Sequence, residues 1–199
     1  MRHFGGLLAR IGPLRAVRPG EGRRVAHFVL VFFVASAGLA LGRGTADALF
    51  FKRYGIEYLP VMYMVLSVLL AGVSTVYAAF VDRVPAERAY AVLNVVLAAV
   101  LGLSWWGMVS TEASLLYPAY FLIYEVASEL LLVHGPLYLS QNLDTLTAKR
   151  LSPLVFAGAQ VGTIAGGLFL NLAAPRVGVQ NLLLAWAALL LAGLVLLWW

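Results

Sequence analysis

Charged side chains occur inside segments of this sequence whose other residues are almost all apolar. Arg43 and Asp47 are one helical turn apart near the end of the first long apolar run, and Glu125 and Glu129 repeat that spacing in a later run. Residues at i and i+4 share one face of a helix, so each pair can direct both charged groups the same way. Charged groups within a bilayer pair with one another or mark solute and ion pathways. The four residues therefore predict either a binding pocket or a structural ion pair.

The depth of these charges favours contact between the two runs. If the first helix ends at Phe51, Arg43 lies about 12 Å from that end, and if the later helix begins at Leu115, Glu125 lies about 15 Å from that end. The two ends are predicted on the same side of the membrane, so Arg43 and Glu125 reach similar depths and can form an ion pair between helices. A functional pocket is favoured over a purely structural pair, and both interpretations stay open at this point.

The composition requires a membrane environment for these charges. Of the 199 residues, 62% are hydrophobic and 12% are charged, and the mean hydropathy is +0.90. Runs of about 20 apolar residues suit helices that cross a hydrocarbon core, and they exclude membrane strands of about ten residues. The sequence predicts an all-α, polytopic membrane protein with six transmembrane helices, at about Val25–Phe51, Leu59–Val81, Arg88–Val109, Leu115–Ser140, from Leu151, and Val179–Trp199.

The distribution of Lys and Arg predicts the orientation. Ten of these residues lie before the first span or in the second and fourth loops, and three lie in the opposite loops. By the positive-inside rule both termini are expected in the cytoplasm. Residues 1–24 form a basic cytoplasmic arm, either an interfacial helix or an irregular tail, and residues 25–199 form the six-helix domain. Because the Arg residues flank spans and form no patch with interleaved aromatic residues, no nucleic-acid partner is expected.

Motifs for enzymatic chemistry are absent from the sequence. The chain contains no cysteine, which excludes disulfides and thiolate sites. It also contains no phosphate-binding glycine loop, no serine-hydrolase motif and no zinc-protease motif. His134 lies within a span just before Gly135 and Pro136, and a neighbouring carbonyl or carboxylate is a more common partner for such a histidine than a metal ion. Neither an enzyme nor a cofactor or metal site is expected.

Small residues in the fifth run predict close helix packing. Gly158, Gly162 and Gly166 recur every four residues, a spacing that lets two helix backbones approach closely. Gln160 lies on another face, where it can reach a second helix or a cavity. The tyrosines at 117, 120 and 124 form a stripe along the fourth run, for which packing is favoured over the stacking of a ligand.

Two basic residues precede the fifth run. Lys149 and Arg150 stand where the free N–H groups and the dipole of a helix N-terminus attract anions. Any cytoplasmic loop also carries such residues, and this simpler explanation is favoured, with anion binding as the alternative.

Several stretches resemble known transporters. The charges in helices one and four and the loop FVDRVPAERAY at 80–90 are similar to the N-terminal half of a major facilitator transporter, although the usual loop glycines are missing. The stretches that resemble the ADP/ATP translocase family of nucleotide transporters and its bacterial relatives more closely are RGTADALFFKRYGIEYLPVMYMVLSVL at 43–69, LYLSQNLDTLTAKRLSPL at 137–154 and AGAQVGTIAGG at 157–167.

The resemblance implies a bacterial inner-membrane protein that holds a nucleotide or another organic anion through intramembrane charges. By position Arg43 and Glu125 correspond to such charges, accompanied by Asp47 and Glu129, with Lys149 and Arg150 less directly placed. That family has about twelve helices, whereas six are expected here. Transport would therefore need a second six-helix unit, either another copy or another subunit. The alternative is an accessory or scaffolding subunit of a larger membrane complex, and a ligand sensor is a weaker third.

Overall fold

A computed structural model describes residues 17–18, 20–81, 83–111 and 113–197 of the chain. Most of the predicted basic arm lies outside these residues. Within them the chain forms helices and no strand. A short 3₁₀ turn at Ile56–Tyr58 follows the first helix. The helices are α1 (Gly22–Tyr54), α2 (Leu59–Val81), α3 (Ala86–Ser110), α4 (Leu116–Asn142), α5 (Thr145–Val177) and α6 (Leu182–Leu197).

The helix lengths agree with a helical membrane protein. Five helices, α1 to α5, are long and apolar enough to cross a membrane. The sixth, α6, has 16 residues, which corresponds to about 24 Å and is shorter than a hydrocarbon core of about 30 Å. The predicted all-α membrane class is confirmed. The count of six spans and the cytoplasmic position of both termini stay predictions.

Glycine and aspartate residues set several helix ends. α1 stops at Gly55 and α5 stops at Gly178, with φ angles of 87° and 82° that L side chains rarely adopt. At the start of α5, Asp144 Oδ2 accepts a hydrogen bond from the backbone N–H of Thr147 at 3.1 Å, which satisfies one of the free donors of the first turn. α5 therefore begins six residues before the predicted start at Leu151.

α1 is the central helix, and it contacts α4, α5 and α6. Its closest neighbour is α5. A Cβ atom added at Gly162 or Gly166 would overlap the backbone carbonyl of Phe33 or Ala37, and one at Gly158 would lie 2.7 Å from Val29 Cγ1. Because these positions lack side chains, the two backbones approach closely.

A second glycine face on α1 accommodates α6. The indole ring of Trp186 is fully buried, and a Cβ atom at Gly42 would lie 2.9 Å from three of its ring carbons. A Cβ atom at Gly38 would lie 3.0 Å from Trp186 Cδ1. α1 thus presents one surface to the glycines of α5 and uses its own glycines to receive the largest side chain of α6.

The least covered helices are α2 and α5. In the most apolar window of α2, 11% of the residues are buried, and in that of α5, 22%, against 44% for α1 and α4. α2 packs mainly on α4. The large apolar side chains that α5 leaves exposed are Leu146, Phe156, Val161, Ile164, Leu168, Phe169, Leu172 and Val177.

Candidate functional site

A cavity of about 690 Å³ lies between α1, α4 and α5. This volume is typical of sites that hold small organic molecules. Most of its wall is apolar, and its charged lining residues are Arg43, Glu125 and Glu129. Uncharged polar side chains reach it from all three helices, and they include Ser36, Ser128, Gln160 and Thr163.

Arg43 holds two carboxylates at the edge of this cavity. Its Nη1 lies 2.5 Å from Glu125 Oε1 on α4, and its Nε lies 3.1 Å from Asp47 Oδ2, one turn away on α1. The Arg43 side chain is 44% exposed, whereas that of Glu125 is 11% exposed. The structure thus contains the ion pair between Arg43 and Glu125 that was predicted from their similar depths.

The ion pair lies far from the helix ends. Arg43 is 11 residues before the end of α1 and Glu125 is nine residues after the start of α4, which corresponds to about 16 Å and about 14 Å along the helix axes. These distances are about half the thickness of a hydrocarbon core. A charged group this far from both ends of a membrane-spanning helix pairs with another charge or lines a space that holds water or a solute.

Glu129 differs from Glu125 in its surroundings. Its side chain is exposed within the cavity lining. Among the described residues, the ion pairs formed by Arg43 involve Asp47 and Glu125, and none involves Glu129. Asp47 Oδ1 is buried and has no hydrogen-bond partner there either. One guanidinium therefore faces three carboxylates around this site.

Tyr124 is the member of the tyrosine stripe that lines the cavity. The Arg43 guanidinium lies 5.8 Å from the centre of its ring, and its hydroxyl donates a hydrogen bond to the Leu39 carbonyl at 3.3 Å. Tyr120 is instead fully buried with its hydroxyl 2.8 Å from Thr45 Oγ1. Tyr117 lies near the start of α4, where Gln180 donates to its hydroxyl. The stripe is mainly a packing surface.

Some lining residues were not predicted as site residues. Ser36 and Thr163 carry neutral hydroxyls, which are common in membrane helices and give no distinctive pattern. The spacing contained a usable signal, because Ser36 lies seven residues before Arg43 and so shares its helix face. Gln160, which the sequence placed toward a helix or a cavity, lines the cavity.

Lys149 and Arg150 do not line this cavity. Arg150 Nη2 lies 2.6 Å from Glu21 Oε1, which links the start of α5 to the residue before α1. Hydrogen bonding from Arg150, followed by that from the Arg18 backbone N–H, lowers the pKa of Glu21 below its ordinary value. Lys149 is exposed. These residues are therefore separate from the cluster around Arg43.

His134 is fully buried in α4. Its Nε2 is hydrogen-bonded to the hydroxyl of Tyr77 on α2, where the sequence favoured a carbonyl or a carboxylate, and its Nδ1 is buried without a hydrogen-bond partner among the described residues. In the described parts of the chain, no group of three or more His, Cys, Asp or Glu residues is arranged to hold a metal ion.

The arrangement combines a paired guanidinium, an unpaired carboxylate and an apolar wall at membrane depth. It can bind a small charged molecule with an apolar portion. No protein-family model, no curated protein and no solved structure matches the chain.

Proposed function

We propose that this chain is a transporter-like half-domain that binds a small charged organic solute in the cavity between α1, α4 and α5. The observation that carries the proposal is the position of Arg43, Glu125 and Glu129 on that cavity, at the depth of the membrane interior. Charged groups at this depth require water, a solute or another protein surface around them. A site for a charged solute meets this requirement directly.

The proposal includes a second six-helix unit, because the cavity is open on one side. The Arg43 side chain is 44% exposed and Glu129 is exposed as well, and neither group is stable against lipid chains. A partner that covers the open side would convert the cavity into an enclosed chamber. The sparsely buried surfaces of α2 and α5 are the natural contact surfaces for it. The partner is either a second copy or another subunit.

The remaining parts of the proposal come from the sequence. The Lys and Arg distribution and the resemblance to bacterial carriers support a bacterial inner-membrane protein with both termini in the cytoplasm. The same resemblance favours an organic anion, such as a nucleotide, as the solute. Arg43 is the residue that would bind an anion, through the guanidinium N–H groups that do not contact Asp47 or Glu125. Lys149 and Arg150 would act only before the solute reaches the cavity.

A scaffolding role has weaker support from the packing. In a scaffolding subunit, the glycine face of α5 and the apolar last helix would be the surfaces available for docking. Gly158, Gly162 and Gly166 instead contact α1 of the same chain, so that face is occupied. The exposed apolar residues of α5 stay available for a partner, and they serve the half-transporter proposal equally well.

Cysteine labelling tests whether water reaches the cavity. The chain has no cysteine, so Gln160→Cys introduces a single thiol into the cavity lining. Val161→Cys is a matched control, because Val161 is the next residue, is 57% exposed and does not line the cavity. In native membranes a neutral hydrophilic thiol reagent should label Gln160→Cys and not Val161→Cys. Equal resistance of both variants would contradict a solute-binding function.

Native mass spectrometry of the gently extracted protein tests the second unit. A dimer, or a complex with one other six-helix chain, would support the half-transporter proposal. A fixed place among many unrelated subunits would favour the scaffolding role instead.

A further inference from the structure

We propose that the solute is an organic cation, whose positively charged group binds beside Glu129. This inference rests on the proposed function, since it names the chemical class of the solute for the same cavity. It departs from the anion that the sequence favours, and it follows from the charges and side chains around the site.

The charged side chains around the cavity carry more negative than positive charge. Arg43 is the cation of the cavity lining, and the carboxylates around it are Asp47, Glu125 and Glu129. Arg43 neutralises one negative charge, so the site retains an excess of negative charge when all three carboxylates are ionised. At membrane depth such an excess favours the uptake of a positive group.

The guanidinium of Arg43 is already paired with two carboxylates. Arg43 uses Nε for Asp47 and Nη1 for Glu125. An anionic solute would approach a guanidinium whose charge is already opposed by these two carboxylates, whereas a cation meets Glu129, which forms no ion pair with the described residues. Of the charged groups that line the cavity, Glu129 is therefore the one without an opposite charge beside it in the described part of the chain.

The size and the lining of the cavity indicate which kind of cation it can hold. Phe32 and Phe156 contact each other edge to face in its wall, with ring centres 5.8 Å apart, and Tyr124 and Tyr90 add further aromatic surface. Aromatic rings attract ammonium groups and also pack against their apolar substituents. A bare metal ion would leave most of the 690 Å³ unfilled, and a divalent ion requires about six oxygen ligands. An amine with an apolar body matches both the charge and the volume.

The charge selectivity of labelling at Gln160→Cys tests the inference in the full-length protein. We would compare a methanethiosulfonate with a trimethylammonium group and one with a sulfonate group, each rate divided by that for a free thiol in solution. The cationic reagent should react at least about tenfold faster in relative terms. Glu129→Gln, added to Gln160→Cys, should reduce this preference to about threefold or less. A preference for the sulfonate, or one that Glu129→Gln leaves unchanged, would overturn the inference.

Protection experiments measure occupancy itself. Tetraethylammonium should slow the reaction of Gln160→Cys with a neutral reagent, benzenesulfonate should not, and Glu129→Gln should remove the protection. Protection by benzenesulfonate alone would show that the site prefers anions. The two proposals fail differently. If the neutral reagent reacts but the cationic reagent is not faster than the anionic one, the cavity stands and the cation assignment is wrong. If no reagent reacts with Gln160→Cys, the cavity function itself is refuted.

Discussion

Arg43 Nη1 lies 2.5 Å from Glu125 Oε1, and this contact connects α1 to α4 through side chains that are 82 residues apart in the sequence. Asp47 contacts the same guanidinium from within α1. The pair therefore has two consequences that can be separated by experiment: it fixes the relative position of two helices, and it sets the charge that the cavity presents to a solute.

The Arg43–Glu125 pair should contribute to stability in a way that depends on both partners. Arg43→Ala leaves the buried Glu125 without its cation, and Glu125→Ala leaves Asp47 as the carboxylate that pairs with Arg43. We expect each single variant to be destabilised, and a coupling free energy of about 1–3 kcal/mol in the double-mutant cycle. Thermal unfolding in detergent of the two single variants and the double variant measures it.

Glu129→Ala provides the control for this cycle. Its carboxylate forms no ion pair with the described residues around the cavity, so the variant should unfold close to the temperature of the parent protein. Additive effects of Arg43→Ala and Glu125→Ala would mean that the ion pair does not hold the two helices together.

The sequence predicted this pair because charges stand out in apolar runs and because helix rise converts residue number into depth. It did not predict the salt bridge between Arg150 and Glu21, since neither residue lies inside an apolar run and no periodicity relates positions so distant. The glycine spacing of α5 indicated which face packs closely, but it contained no information on the partner. That partner is α1, whose residues Val29, Phe33 and Ala37 lie directly against the glycines of α5.

The length of α6 shows that hydropathy alone does not locate the start of a helix. The apolar run was expected to begin at Val179, yet the helix begins at Leu182. The preceding residues form a turn in which the Asn181 side chain donates to the Val177 carbonyl at 2.7 Å. Hydropathy averaged over a span does not register such local hydrogen bonding, so it overestimates helix length where a turn follows the previous span directly.

Gly162→Ala should destabilise the protein strongly. The added methyl group would overlap the Phe33 carbonyl oxygen, and α1 and α5 would have to separate along their contact. We expect a loss of at least about 2 kcal/mol, visible as a lower unfolding temperature. Gly167→Ala is the matched control on the same helix, because its added methyl group meets nothing within 4 Å. That variant should be neutral or slightly stabilised, since alanine favours helix. Equal effects at both positions would show that the close approach is not what stabilises the pair of helices.

The Glu21–Arg150 pair should make stability depend on pH in acid. The pKa of Glu21 is lowered from its ordinary value of 4.5, first by hydrogen bonding from Arg150 and then by the Arg18 backbone. A lowered pKa in the folded state means that the contribution is present above the ordinary value and is lost as the pH falls through the folded-state value. The unfolding temperature of the parent protein should exceed that of Glu21→Gln at neutral pH, and the difference should disappear in acid.

The effect of Glu21 is expected to be small because the pair is at the surface. The pKa of Asp144 is also lowered, mainly by hydrogen bonding from Thr147, but Asp144 is present in both proteins and its effect cancels in the comparison. A difference that persists unchanged at low pH would show that Glu21 acts through packing and not through its charge.

Trp186 and Gly42 should show a non-additive pair of substitutions. Gly42→Ala places a methyl group 2.9 Å from the indole ring, so it should destabilise the protein by about 1–3 kcal/mol. Trp186→Leu should also destabilise it, because a smaller side chain leaves a cavity against α1. In the Trp186→Leu background, however, the methyl group of Gly42→Ala enters vacated space, and its penalty should largely disappear. Unfolding temperatures of the four proteins test this expectation. If Gly42→Ala costs as much beside leucine as beside tryptophan, its effect comes from the α1 backbone and not from the contact between α1 and α6.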